Sequence, residues 1–168
     1  MEFEKFTDRS KGFLQSAQSL ALRENHQQLV PIHLLKVLLD DEEGLAANLI
    51  KAQGGDAKRA LDRTEQELAK LPKVTGANAQ VYLSSEFARL VDEAQKVAKK
   101  AGDSYVTAER LLLTLALDAK SVAGKVLADA GVTAQKLNSA INDLRKGRTA
   151  DSSGAESQYD ALKKYARD

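Results

Sequence analysis

Apolar positions recur along this chain at helical spacing, and short polar punctuation divides them into segments. Phe6, Phe13, Leu14, Ala17, Leu20 and Ala21 fall on one face of a first helix, with Thr7 placed to cap it. Pro31 opens a second helix carrying Ile32, Leu34, Leu35, Leu38 and Leu39, which runs out in Asp40-Asp41-Glu42-Glu43. A third uses Leu45, Ala46, Leu49 and Ile50 and stops at Gly54-Gly55. A fourth, capped by Asp56, uses Ala60, Leu61, Leu68 and Leu71 and ends at Pro72. Residues 72 to 81 then read as a connector with turn formers at Gly76 and Asn78.

Ser84 opens the next helix, whose stripe is Phe87, Leu90, Val91, Ala94, Val97 and Ala98. Gly102 can take the left-handed conformation that closes it, and Asp103 and Ser104 are turn formers. Thr107 is positioned to accept from the free amides of the following helix. The first turn of that helix places Glu109 at the positive dipole end, before an apolar face begins at Leu111, Leu112 and Leu113. A helix through Val122, Val126 and Leu127 reaches Gly131, and Thr133 caps the last one, with Leu137, Ile141 and Leu144.

The second series repeats the first. Leu34 aligns with Leu111, an offset of 77 positions that also pairs Phe6 with Leu83, Phe13 with Leu90, Ala17 with Ala94 and Gln18 with Gln95. The same offset pairs Leu20 with Val97, Leu35 with Leu112, Leu38 with Leu115, Asp41 with Asp118 and Gly54 with Gly131, without a gap. The chain is a duplicated unit, and the fold class expected is all-α. Two pseudo-twofold-related four-helix repeats, about 6–71 and 83–147, form one globular domain over residues 1–147. The polar, glycine-containing run from Arg145 to Gly154 reads as a linker, and residues 148–168 as a linker followed by a short helix carrying Tyr159, Leu162 and Tyr165. That short helix has nothing to pack on and resembles the start of a further module.

Composition supports this picture and narrows the chemistry. Good helix formers dominate, with two prolines and ten glycines, and 43% hydrophobic against 29% charged residues is enough for a core and a solvated surface. A net charge of +1 gives no reason to expect nucleic acid or an anionic membrane as partner. Without cysteine there are no disulfides or thiolate sites, and the N-terminus has no apolar signal core, so the expectation is a cytoplasmic protein.

No active site can be assembled. His26 and His33 are the only histidines and lack a further ligand or nucleophile at defined spacing, which favours a structural role. Asp40 to Glu43 lacks the alternation and turn glycine of a calcium loop. Neither Gly54-Gly55 nor Gly76 precedes the Lys-Ser or Lys-Thr of a phosphate-binding loop. Lys99-Lys100 and Lys163-Lys164 carry no interleaved aromatics. Thr7, Asp103 and Glu109 remain of interest: as caps and turn residues, or as a binding site if they meet where the repeats join.

The duplicated unit, Pro31-Ile32-His33-Leu34-Leu35 and Gly102-Asp103-Ser104-Tyr105-Val106-Thr107-Ala108-Glu109-Arg110-Leu111-Leu112-Leu113 resemble the Clp amino-terminal domain. Leu71-Pro72-Lys73-Val74 before Gly76, and Gly154-Ala155-Glu156 leading to Ala161-Leu162-Lys163-Lys164-Tyr165, resemble the ClpB-type disaggregases of that family. The resemblance implies a mobile substrate-receiving domain on an ATP-driven homohexamer that works with a DnaK-type chaperone system on unfolded or aggregated polypeptides. ATP and magnesium would belong to AAA+ modules that begin in the tail. The fragment itself would be monomeric, without cofactor or metal. The same resemblance associates Thr7, Asp103 and Glu109 with substrate handling and implies an apolar groove at the helices bearing Val91, Val97 and Arg110. Glu93 and Arg110 depart from the apolar residues common there, and Lys146-Gly147-Arg148 replaces the usual glycine pair.

An apolar patch rimmed by charge would bind extended segments weakly, and a hexamer would add avidity. Rival readings are the adaptor-docking domain of a ClpA- or ClpC-type protease unfoldase, a purely structural docking domain, and a small helical enzyme using His26 or His33.

Overall fold

The computed structural model describes residues 3–75 and 80–156. Four helices make the first repeat: α1 (Asp8–Arg23), α2 (Pro31–Leu39), α3 (Leu45–Ala52) and α4 (Ala57–Ala69). Four make the second: α5 (Ser85–Lys100), α6 (Ala108–Leu117), α7 (Val122–Asp129) and α8 (Ala134–Arg145). Each helix of the second set begins 77 positions after its counterpart, so the duplication read from apolar residues is a duplication of structure.

The starts are set by local chemistry. Thr7, Asp56, Ser84, Thr107, Ser121 and Thr133 each accept a backbone amide of the first turn they precede. Val30 has no capping oxygen, but Pro31 fills the first position of α2, where a missing N–H costs nothing. α2 and α6 lie innermost: Leu34, Leu35, Leu111 and Leu112 are all within 1% of full burial, and Ala108 through Leu115 is buried without a break. Helices buried to this extent form the core, and the outer helices wrap them.

The repeats are stitched by reciprocal pairing that the helical periodicity does not announce. β1 (Gln28–Leu29) of repeat one pairs in parallel with β2 (Tyr82–Leu83) at the entry to repeat two. Under the 77-position offset, Leu29 and Leu83 become Val106 and Phe6, and those two form the matching parallel bridge. The Thr7 amide donates to the Val106 carbonyl at 2.9 Å, and the Ser84 amide to that of Leu29 at 3.2 Å. Phe6 therefore precedes α1 instead of lying on it, because its backbone is committed to the other repeat. At the opposite end the α3–α4 and α7–α8 loops touch: the Asp56 amide donates to the Ala130 carbonyl at 2.8 Å, and a Cβ on Gly131 would come within 3.6 Å of Gly55 Cα. One core runs through both repeats, from Phe6 to Ile141.

The stretch expected to be a linker from residue 148 lies on the domain as far as Glu156. Ala150, Ala155 and Glu156 are buried, the two alanines packing on Tyr105. Polar composition misleads here because the anchoring is by backbone hydrogen bonds and one carboxylate, which leave little apolar signature. The short helix expected through Tyr159, Leu162 and Tyr165 lies outside the described residues.

Candidate functional site

Two features set repeat two apart from repeat one. The first is a buried polar network at the α5–α6 corner. Arg145, 2% exposed, donates to both oxygens of Asp103 at 2.7 Å, to Thr107 Oγ1 at 2.7 Å and to Glu109 Oε1 at 3.4 Å. Arg110 Nε donates to Asp103 at 3.2 Å and its Nη1 to Asn138 at 3.0 Å. Two guanidiniums thus face two carboxylates in a site closed to water, where each charge is tolerated only because its partners are in place.

The linker stretch completes this network. Asp103 Oδ1 accepts the Ala150 amide at 3.0 Å, and Glu156 accepts the first amide of α6, that of Ala108, at 2.8 Å. Burial, and then the nearby Glu109, push the Glu156 carboxyl up to about 7, although the Thr7 hydroxyl, the Ala108 amide and Arg9 favour its ionised form. Thr7 caps α1 through the Ser10 amide while Ser10 donates across to the Val106 carbonyl at 2.7 Å.

The corresponding corner of repeat one is neutral. Asp103 and Arg110 correspond to His26 and His33, whose rings meet at 2.8 Å between Nδ1 and Nε2. The Val30 amide donates to His33 Nδ1 at 3.0 Å, so the His33 proton sits on Nε2 and is given to His26. Burial holds both rings below their usual pKa, His33 at about 4, with His26 adding to the effect. Neither histidine meets a third metal-ligating group among the described residues.

The second feature is a groove of about 620 Å³ between α5, the end of α6 and the start of α7. Leu90, Val97, Leu117 and Val122 give it an apolar floor, with Leu117 and Val122 about half exposed, and Glu86, Arg89, Glu93, Asp118 and Lys120 rim it. At the equivalent mouth in repeat one, Arg9 forms a salt bridge to Glu43 at 3.2 Å. Their counterparts, Glu86 and Lys120, carry swapped signs and form no such bridge. Leu117 stands where repeat one has Asp40, so the open side is also the more apolar one.

The six residues singled out in the sequence therefore separate. Val97 lines the groove. Val91 is 3% exposed and belongs to the core on the inner face of α5. Arg110, also 3% exposed, turns inward to Asp103 one turn before Thr114 reaches the groove wall. Thr7, Asp103 and Glu109 gather around the buried network where the repeats meet, away from the groove surface. Glu93, one of the departures from the family pattern, is on the rim. Sequence reading passed over Arg145, Glu156 and the groove residues Leu117 and Val122. A signal for Arg145 was present: it continues the spacing of Leu137 and Ile141 and occupies the core position that Leu68 fills in repeat one.

These features can be set beside known proteins. A family model described as the Clp repeat (R) N-terminal domain matches residues 5–130. The chaperone protein ClpB of Rhodopseudomonas palustris is 62% identical over 169 residues, covering 100% of this chain and 19% of the relative. That of Rhizobium meliloti is 57% identical over 168 residues with the same two shares. The chain thus spans about a fifth of the length of these curated relatives. Among solved structures, the Hsp104 N-terminal domain from Candida albicans superposes with a TM-score of 0.79 at 24% identity, covering 90% of this chain and 99% of that one. The ClpV N-domain in complex with a VipB peptide superposes at 0.66 with 20% identity, covering 84% and 90%. With two four-helix repeats in register and high identity along its whole length, this chain belongs to the Clp repeat N-terminal domain family and matches the amino-terminal region of ClpB chaperones.

Proposed function

We propose that this chain is the client-receiving domain of an ATP-dependent protein disaggregase, and that the groove of repeat two holds extended, apolar stretches of unfolded or aggregated polypeptide. The groove carries this reading: an apolar floor about half exposed at Leu117 and Val122, at a place where repeat one instead has Asp40 and an Arg9–Glu43 salt bridge. Apolar side chains of an unfolded client fit such a floor, whereas a folded client hides them. The alternating rim of Glu86, Arg89, Glu93, Asp118 and Lys120 tolerates varied sequences and keeps each contact weak. The resemblance to ClpB chaperones supplies the rest of the proposal: a cytoplasmic homohexamer, powered by ATP and magnesium in modules beyond this stretch, in which several weak grooves act together and pass clients on with a DnaK-type system.

Leu117→Lys tests the groove. The residue is 53% exposed, so the fold should keep its stability, while affinity for a permanently unfolded protein should fall about tenfold. Unchanged affinity would move client binding elsewhere or leave a domain that serves only for docking.

A further inference from the structure

Thr7, Asp103 and Glu109 are 0%, 6% and 1% exposed, so none offers a surface to a client in this structure. What they do touch is the chain itself. After α8 the backbone retraces, in repeat two, the path that follows α4 in repeat one. Lys73 there forms an antiparallel bridge with His26, and the residue 77 positions beyond Lys73 is Ala150, which meets Asp103, the residue 77 beyond His26. The contact is two-sided: the Ala150 amide donates to Asp103, and its carbonyl accepts the amides of Ser104 at 2.9 Å and Tyr105 at 3.1 Å.

The first amides of two helices then take partners from the same segment. The Asp8 amide of α1 donates to the Ser153 carbonyl at 2.8 Å, and the Ala108 amide of α6 to Glu156 at 2.8 Å. Repeat one needs no such partner at the second position, because Pro31 stands where repeat two has Ala108 and carries no N–H. The residues by which repeat two differs here are thus those around this segment: Asp103 for His26, Glu109 for Ile32, and Ala108, with its free amide, for Pro31.

We propose that Thr7, Asp103 and Glu109, locked by Arg145, form a cradle for the chain's own segment 149–156 and serve as positioning residues that fix how the chain leaves the domain. Asp103 holds Ala150, Thr7 holds Glu156, and Glu109 lies beside the Glu156 carboxyl as part of the Arg145 network. A docked segment sets the direction in which the chain continues and shortens the reach of the domain; a released one lengthens it by several residues. The assignment does not depend on the groove and stands or falls separately from client binding.

The 168-residue chain and its Ala150→Arg/Glu156→Ala variant supply the test, since the changes lie outside the main core and leave the Arg145 ion pairs intact. Amide hydrogen exchange at Asp8, Ser104, Tyr105 and Ala108 is expected to quicken at least tenfold in the variant, with amides along α2 and α6 beyond the first turn unchanged. Asp103→Asn should loosen the same four amides. Affinity for a permanently unfolded protein should stay within twofold in the Ala150→Arg/Glu156→Ala variant. If the four amides keep their protection in both variants, the cradle does not exist. If the unfolded protein shifts the amides of Thr7, Asp103 and Glu109 in the wild type and loses tenfold or more in affinity on Asp103→Asn but not on Leu117→Lys, these residues contact the client and the proposal is overturned.

Discussion

Arg145→Leu gives repeat two, at one core position, the residue that repeat one has there as Leu68. In the wild type this guanidinium serves both oxygens of Asp103, the Thr107 hydroxyl and Glu109, at 2% exposure. Its loss leaves Asp103 with the ion pair to Arg110 and strips Glu109 of its contact with Arg145. Breaking a buried pair of this kind costs about 3–5 kcal/mol, which for a chain of this size lowers the thermal midpoint by about 10 °C. The structure also indicates the cure. Adding Asp103→His, Thr107→Val, Ala108→Pro, Glu109→Ile and Arg110→His transfers the neutral corner of repeat one, so that the charged members of the Arg145 network leave together. Stability should return to within about 1 kcal/mol of wild type, because a well-packed apolar replacement of a buried ion network is often neutral. The segment 149–156 should nevertheless be released. Urea unfolding followed by circular dichroism measures the first effect and hydrogen exchange the second. A cost below about 1 kcal/mol for Arg145→Leu alone, or a six-residue transfer less stable than the single change, would refute the view that mutual satisfaction holds this corner together.

Two further outcomes follow from the same geometry. His33, held near 4, is charged in the unfolded chain but neutral in the folded one between pH 6.5 and 4, so it makes stability fall as acid is added. Glu156, held near 7, binds its proton more tightly when folded, so its contribution is present at pH 4.5 and lost as pH rises towards 7. The two slopes oppose each other; Glu156→Gln should therefore steepen the rise of stability between pH 4.5 and 6.5 by on the order of 1 kcal/mol per pH unit, and a denaturation series in which it left the slope unaltered would contradict the burial of Glu156. Gly124, whose counterpart is Ala47, lies so close to the Asp118 carbonyl that a Cβ would overlap it. Gly124→Ala should displace the turn from Asp118 to Ser121 at the edge of the groove, costing about 1–3 kcal/mol and weakening client binding, as titration of the variant would read out.

Much of this fold was legible because it is written in local rules applied twice. Five of the six capping side chains, one proline and an unbroken offset were readable as short-range signals, while the Ser121 cap was not singled out. The reciprocal bridges of Phe6 with Val106 and Leu29 with Leu83 were not legible, since two-residue strands have no periodicity to detect. The site was legible only in part. Thr7, Asp103 and Glu109 stood out as polar residues at helix starts, but their burial depends on Arg145 and Glu156, which are remote in sequence and sit in stretches that read as solvated. Val91 and Val97 share one apolar stripe on α5, and which of them faces the groove depends on how α6 and α7 pack, a tertiary fact. The position of Arg110 next to an apolar run gave no hint that its side chain turns back to Asp103.

The central claim is that the repeat-two groove receives unfolded chain. The most direct measurement is an NMR titration of the labelled 168-residue chain with a permanently unfolded protein and, in parallel, with the same protein folded. Shifts gathered at Glu86, Arg89, Leu90, Val97, Leu117 and Val122 with the unfolded form alone are the predicted result. Shifts of equal size with the folded form, or none at these residues with either, would contradict it.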